Sequence, residues 1–577
     1  MRLGISLAVS VIRYRLQGPM VYEIVAFLQQ SYTLILGVHE SDMGNFLRPL
    51  HMDVGIATAL AREFRLTFER LAAESTDQFL PTPIAESILR PEAGQEKGRY
   101  LAIDIGGTNL RVGFIELLGG EKYDPKPGPT LNSREPPLRQ AFEKSWPILE
   151  NLKSRHPDEL FTWIGKCIAE VVREGCEKFH LPKDVPLPMG VAFSFPMQQN
   201  TISEATLMPM GKGFVISSNL DLGTYLADGY EKARTPCLPP IKVTAILNDS
   251  VATLVSFIYQ SREDETHKAV MGLICGTGSN ATISLPMRML HRDKLPGKVR
   301  GLTDEPVENL RIAVNTEWSI NGSASALHKF GLVSKWDRQL DSEGEKPGFQ
   351  PLEYMTAGRY LGELGRLILL DYLRSHLDYT DAMLPTQLQQ RFGLTTTFLS
   401  HFRPPEAPTL LRKLESEFPS STAKLPFRWS EKIALVLYDI AKAIETRAAG
   451  LVAAGVIGLL ACAGDIPLLR DENEPPQAVL SKELPASPVA TTEPEPEKEK
   501  KATMITLSVG YTGGCISHFQ DYLRDCQGFL DAILEAEFGG DSGPPAVKVV
   551  LSPCHDGGIL GAGVLCGAAT QAASRDI

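Results

Sequence analysis

The chain lacks the marks of several protein classes. It has no excess of positive charge: the formal net charge of −11 argues against general attraction to nucleic acid or acidic membranes and leaves only a local basic pocket open. It has no paired cysteine motif. Nine cysteines are scattered, and Cys237, Cys275, Cys462 and Cys554 sit in dissimilar contexts, as reduced thiols in a cytosolic protein do. It has no long apolar run near its start. Residues 3–12 are apolar but too few to span a bilayer as a helix, and residues 21–38 are interrupted by Glu23, Gln29 and Gln30. No small-residue cleavage site follows convincingly, which argues against a secretory signal. Arg2, Arg13 and Arg15, with no acid before Glu23, suit a mitochondrial presequence or a surface helix; a start placed too far upstream is the bland alternative. The expected location is cytoplasmic, with mitochondrial association left open.

What is present is more specific. At 577 residues the chain is too long for one simple core, so two large lobes are expected. The stretch Leu101-Ala-Ile-Asp-Ile-Gly-Gly-Thr-Asn-Leu-Arg-Val-Gly-Phe-Ile115 reads as a hairpin with Gly106-Gly107-Thr108-Asn109 at its turn. A turn without side chains lets backbone N–H groups approach a phosphate. Asp104 stands at its edge, where a carboxylate can hold Mg²⁺ through water. An ordinary hairpin would read the same way. A second copy, Val270-Met-Gly-Leu-Ile-Cys-Gly-Thr-Gly-Ser-Asn-Ala-Thr-Ile-Ser-Leu285, sits about 170 positions on and carries Gly276, Thr277 and Gly278 at its turn. Two such hairpins can grip a triphosphate from opposite sides, and a long-period duplication points to two similar lobes.

The segment from Gly98 to Val112 resembles the phosphate-binding segment of the hexokinases, within the actin-like sugar-kinase ATPases. The resemblance runs from about Phe79 to the C-terminal region with one insertion, and weakens before Met52. It implies an α/β, two-lobed actin-like ATPase (ribonuclease-H-like) fold with a central cleft. The organisation expected is an N-terminal extension at 1–51, a helix at 52–78 on the large lobe, a small lobe at 79–247 and a large lobe at 248–577. Residues 464–501 are rich in proline and charge and read as a disordered insertion, a candidate contact for a regulatory protein.

Periodicity predicts a helix from Asp53 to Ala73, an extended approach at 79–83, two helices between Ala141 and Phe179 parted near Pro157, and strands at 188–195 and 241–247. Helices are also expected over 354–377 and 429–460, and a strand at 505–509.

Further segments carry the resemblance. Asn248-Asp249-Ser250-Val251 matches the segment with the catalytic base. A carboxylate at a strand end can take the proton from a sugar hydroxyl attacking a γ-phosphate; alternatively Asp249 is a helix cap. Phe193-Ser-Phe-Pro-Met-Gln-Gln199 with Gly211-Lys-Gly-Phe214 matches the sugar loop, making Ser194 and Lys212 sugar contacts. Asn280, Val314-Asn-Thr-Glu-Trp318 and Gln350-Pro-Leu-Glu-Tyr-Met355 match further segments. The implied sugar ligands are Ser194, Lys212, Asn248, Asp249, Asn280, Glu317 and Glu353, with Asn315 in support. The implied nucleotide contacts are Asp104, Gly106, Gly107, Thr108, Asn109, Gly276, Thr277, Gly278, Gly513 and Gly557. Lys212 and Arg111 would offset charge or position groups, and Asp104 would orient Mg²⁺.

The chain departs from the family at Met210 and Gly211, where Trp and Thr are usual. It departs again at Thr512 and Gly514, which replace an acid and a hydroxyl residue, and at Gly558 and Leu560, which replace Ser and Lys. The resemblance implies a hexokinase that phosphorylates glucose, fructose or mannose, glucose first, at the 6-hydroxyl with Mg-ATP and feeds glycolysis, its activity weakened by these changes. A catalytically impaired sugar sensor is the alternative. A chaperone or actin-like ATPase conflicts with the sugar segments.

Overall fold

The structure is a computed structural model. It describes residues 43–85, 97–119, 137–153, 156–208, 220–261, 264, 266–297, 299, 307–419, 427–467, 504–539 and 547–575. Lys212, Met210, Gly211 and most of the inserted segment lie outside the described residues.

Two sheets repeat one plan. The smaller has the order β4-β3-β2-β5-β8, formed by β2 (Gly98–Ile105), β3 (Asn109–Leu117), β4 (Leu138–Pro147), β5 (Leu187–Phe193) and β8 (Ile241–Asn248). Its first three strands are antiparallel, and β5 and β8 then add in parallel. The larger has the order β1-β11-β10-β9-β12-β13, formed by β1 (Leu80–Ala85), β9 (His267–Cys275), β10 (Ser279–Pro286), β11 (Arg311–Asn315), β12 (Ile505–Thr512) and β13 (Val547–Pro553). Here too β9, β10 and β11 are antiparallel and β12 and β13 parallel, with β1 added at the edge. The two glycine turns sit at equivalent corners, between β2 and β3 and between β9 and β10. A small hairpin of β6 (Met197–Gln198) and β7 (Thr206–Leu207) stands apart.

The helices that matter to the cleft follow from this plan. In chain order they are α1 (Val54–Glu74), α2 (Pro157–Phe179), α3 (Leu222–Ala233), α4 (Asp249–Gln260), α5 (Pro351–Thr356), α6 (Gly358–Leu377), α7 (Glu431–Cys462), α8 (Gly514–His518), α9 (Tyr522–Phe538) and α10 (Gly557–Arg575). Asp53 starts α1 by accepting from the Ile56 N–H at 2.8 Å, and Leu60, Phe64, Phe68 and Leu71 bury its inner face. α7 is long and apolar enough to cross a bilayer, yet it is the buried core helix of the large lobe. α2 and α3 cover the outer face of the small sheet.

α4 and α10 exchange sheets. α4 leaves β8 of the small sheet and packs on β9 of the large one; α10 leaves β13 of the large sheet and packs on β2 and β5 of the small one. Between them lies a shared core with Ala102, Leu247, Val251, Leu254, Ile559 and Leu565. The crossing is tight at backbone level. A Cβ on Gly561 would lie 2.1 Å from the Ala252 carbonyl oxygen, and one on Gly190 would lie 2.0 Å from that of Ala562.

Several expectations need correcting. Residues 80–85 are a strand, and they pair with β11 of the large sheet, so the small lobe begins at β2 and not at residue 79. The edge position accommodates Pro81 and Pro83, which have no ladder N–H to offer. α10 belongs to the small-lobe sheet although it falls within 248–577. Residues 138–147 form β4, not a helix; between β4 and α2, among the described residues, only Glu150–Lys153 is helical. The helix expected over 354–377 divides at Ala357 into α5 and α6. Within the expected extension, Met43 and Leu50 are buried and Phe46 packs on Trp336, Tyr372 and His376, so at least these residues belong to the large lobe. All nine cysteines are free.

Gly561→Ala should destabilise the fold by about 1–3 kcal/mol, the usual effect of overpacking, because neither backbone at the crossing can move aside alone. Calorimetric melting checks this, with an exposed Gly528→Ala as control, where a Cβ meets nothing within 4 Å.

Candidate functional site

A cavity of about 530 Å³ opens between the two sheets. Its walls are built by the loops at the sheet corners. From the first turn come Gly106, Gly107, Thr108 and Asn109; from the second, Thr277, Gly278, Ser279 and Asn280; from the end of β12, Thr512, Gly513 and Gly514; and from the start of α10, Gly557 and Gly558. These four backbone edges converge because the two parallel-antiparallel sheets face each other across α4 and α10.

The turns are fastened to their surroundings. Gly106 N–H donates to the Asn109 carbonyl at 2.9 Å, and Ser194 N–H donates to the Ile105 carbonyl at 3.1 Å. Gly358 N–H at the start of α6 donates to the Gly276 carbonyl at 2.7 Å. Gly513 has φ +125°, and a Cβ there would lie 2.3 Å from the Cys275 carbonyl oxygen. Only glycine permits β12 to turn against the second hairpin so closely. Gly276 itself supports the turn from behind and does not line the cavity.

Asp249 lines the cavity as the first residue of α4. The capping role belongs to its neighbour. Asn248 Oδ1 accepts from the Ser250 N–H at 2.9 Å and from the Ser250 hydroxyl at 2.7 Å. Its amide faces the Phe193 and Phe195 carbonyls, each at 3.4 Å. Asn248 is therefore buried as the cap of α4, using its Oδ1, and its contact with sugar stands as an expectation.

Asn280, Glu317 and Glu353 meet on one wall, as expected. Asn280 Nδ2 donates to Asn315 Oδ1 at 2.9 Å and to Glu317 Oε1 at 3.2 Å; Asn315 Nδ2 donates to the same Glu317 oxygen at 2.8 Å. Asn315 thus orients both. Glu317 has φ +46°, a left-handed backbone held by Gln78 Nε2 donating to its carbonyl at 2.8 Å. Glu353 Oε2 accepts from the Ser279 N–H at 3.1 Å, while its Oε1 is buried with no hydrogen-bonding partner among the described residues. A buried carboxylate oxygen left so is costly unless a ligand or water donates to it.

The opposite wall is charged. Asp104 and Arg111 face each other across β2 and β3. Arg111 Nη2 lies 2.7 Å and its Nε 3.2 Å from Asp104 Oδ2, and its Nη1 lies 2.6 Å from Asp556 Oδ1. Burial pushes the Asp104 carboxyl above its ordinary value, against the pull of Arg111. The Arg111 guanidinium is held above its own because Asp104 and Asp556 outweigh its burial.

Several lining residues escaped the sequence. Thr253 lies one turn after Asp249 on α4, a spacing that could have been read; its hydroxyl donates to the Asp249 carbonyl at 3.0 Å. Ser145 is opposite Arg111 in β4, and expecting a helix there hid it. Ser319, Ile320 and Phe349 carried no signal. Leu560 is buried in the core between the lobes, so its side chain takes no part in the cavity.

The comparisons agree with this geometry. Two family models described as hexokinase match residues 270–568 and 42–259. The chain is 33% identical over 373 residues to hexokinase-2 of Schizosaccharomyces pombe, covering 64% of this chain and 72% of the relative. It is 29% identical to hexokinase-1 of Arabidopsis thaliana, covering 82% of this chain and 80% of the relative. Among solved structures it is similar in fold to the glucose-complexed hexokinase from Schistosoma mansoni, with a TM-score of 0.67 and 21% identity over 92% of this chain and 98% of that one. With two sheets on one plan, crossed helices and a cleft between glycine turns, the architecture is the two-lobed sugar-kinase fold, and the chain belongs to the hexokinase family.

Proposed function

We propose that this protein transfers the γ-phosphoryl group of Mg-ATP to the 6-hydroxyl of a hexose, glucose first, with reduced activity. The observation that carries the reading is Asp249. Its carboxylate stands on the cavity wall at a strand end, between the two glycine turns, while Asn248 does the capping. In the step, Asp249 takes the proton of the sugar hydroxyl as that oxygen bonds to γ-phosphorus; the bond from γ-phosphorus to the bridging oxygen breaks and ADP leaves. Glu353, Glu317, Asn280 and Ser194 hold the remaining hydroxyls, a suitable set because each hydroxyl both donates and accepts. Lys212, outside the described residues, is the further sugar contact that the resemblance implies.

The glycine turns offer backbone N–H groups to the phosphates, and Thr277, Thr108 and Asn109 flank them. Mg²⁺ held by water and phosphate oxygens would offset their charge, and Asp104 is the carboxylate at hand. No dedicated cage is needed, and among the described residues no group of three or more His, Cys, Asp or Glu is arranged to hold a metal. Thr512 and Gly514 line the cavity without the acid and hydroxyl usual in the family, which is why nucleotide binding is expected to be weak. The nine free thiols suit the cytoplasm, where glycolysis would take the product.

Replacing Asp249 by Ala should lower kcat by about 10²–10⁴-fold and change glucose affinity far less. Steady-state kinetics with calorimetric glucose titration decides; near-normal turnover would remove Asp249 from the mechanism. Glu353→Gln is a sharper probe of the sugar wall. Its amide oxygen can still accept from Ser279 N–H, but a donor then replaces Oε1. Glucose affinity should fall by about ten- to a hundredfold, the reach of one hydrogen bond to a charged group. Unchanged affinity would mean that Oε1 meets no sugar hydroxyl.

A further inference from the structure

Arg111 is already neutralised by two carboxylates of the protein. Asp104 and Asp556 reach the guanidinium from different elements, β2 and the residue before α10, and together leave the trio with one net negative charge. Asp556 has φ +55°, a left-handed backbone for a residue other than glycine, so its position is a built one. Asp104 is placed by the absence of a side chain opposite. A Cβ on Gly558 would lie 2.6 Å from Asp104 Oδ2 and 2.7 Å from its Cγ. The carboxylate therefore rests against the first turn of α10, where the helix favours an anion. Asp104, Arg111, Gly557 and Gly558 all line the cavity beside the first glycine turn.

We propose that this clasp is an autoinhibitory contact: Asp556 competes with the nucleotide's phosphates for Arg111, and Gly558 admits Asp104 to the place where an anion would otherwise settle. Asp556 and Gly558 are positioning residues that set nucleotide affinity without touching the reacting atoms. Binding of Mg-ATP exchanges the Arg111–Asp556 pair for an Arg111–phosphate pair, and Mg²⁺ offsets the carboxylates left behind. The clasp rests on the proposed function, since it presumes that phosphates dock at these turns.

Two substitutions test it in the full chain at saturating glucose, with Mg-ATP affinity read by calorimetry. Asp556→Asn keeps a residue type that tolerates the left-handed backbone and removes one partner of Arg111. Mg-ATP should bind about two- to fivefold more tightly, the scale of one half-exposed ion pair. The melting temperature should fall without nucleotide and match the wild type when Mg-ATP is saturating. Gly558→Ala changes no charge and adds no hydroxyl, yet its methyl displaces Asp104 from the start of α10; read with ATP in the absence of Mg²⁺, where Asp104 has no cation to orient, it too should tighten binding. Unchanged or weaker affinity in both variants overturns the clasp, as does a gain confined to Asp556→Asn, which would be charge repulsion alone. Wild-type binding with no gain in either variant counts against the clasp only. Failure of all three proteins to bind Mg-ATP counts against the proposed function as well.

Discussion

Everything at the cleft depends on two helices that leave one sheet and pack against the other. Because α4 starts at the end of β8 and lies on β9, Asp249 is delivered to the cavity wall. Because α10 starts after β13 and lies on β2 and β5, Gly557 and Gly558 arrive beside Asp104. The crossing tolerates no side chain at Gly561, so the separation of the sheets is fixed by backbone contact. The glycine turns, the charged trio and the sugar wall inherit their spacing from that contact.

The same plan explains what was legible in the sequence. The hairpins at Gly106 and Gly276 could be read because apolar runs flank a turn that only small residues permit, and the second copy gave away the repeated lobe. The acids and amides of the sugar wall could be read by resemblance, segment by segment. Their division of labour could not. Asn248 and Asp249 are adjacent in sequence, and only the helix geometry makes the first a cap and the second a cavity residue.

The failures have equally local causes. β4 is an edge strand, and Trp146 near its end falls into one helical spacing with Ile148, Leu149 and Leu152 beyond it. β1 carries two prolines and reads in sequence as an extended approach only, although an edge strand with one partner can carry them. The lobe boundary was misplaced because chain order does not record that α10 returns to the other sheet. Leu560, where the family usually has Lys, reads as a lost nucleotide contact, but its side chain is part of the core shared by α4 and α10. Lys212 and the inserted segment lie outside the described residues and stand as expectations.

Electrostatics then decides how the cleft is used. The proposed sugar wall is organised around carboxylates oriented by Asn315 and Ser279, with one buried Glu353 oxygen that has no hydrogen-bonding partner among the described residues. The proposed nucleotide wall is backbone-lined and carries a cation that the protein already neutralises. The most direct measurement is incubation of the purified full chain with glucose and Mg-ATP, followed by ³¹P NMR. The account predicts slow formation of ADP and a phosphomonoester whose phosphorus couples to the protons on carbon 6. Saturable glucose binding with no sugar phosphate formed would contradict it and leave a sugar sensor on the same fold.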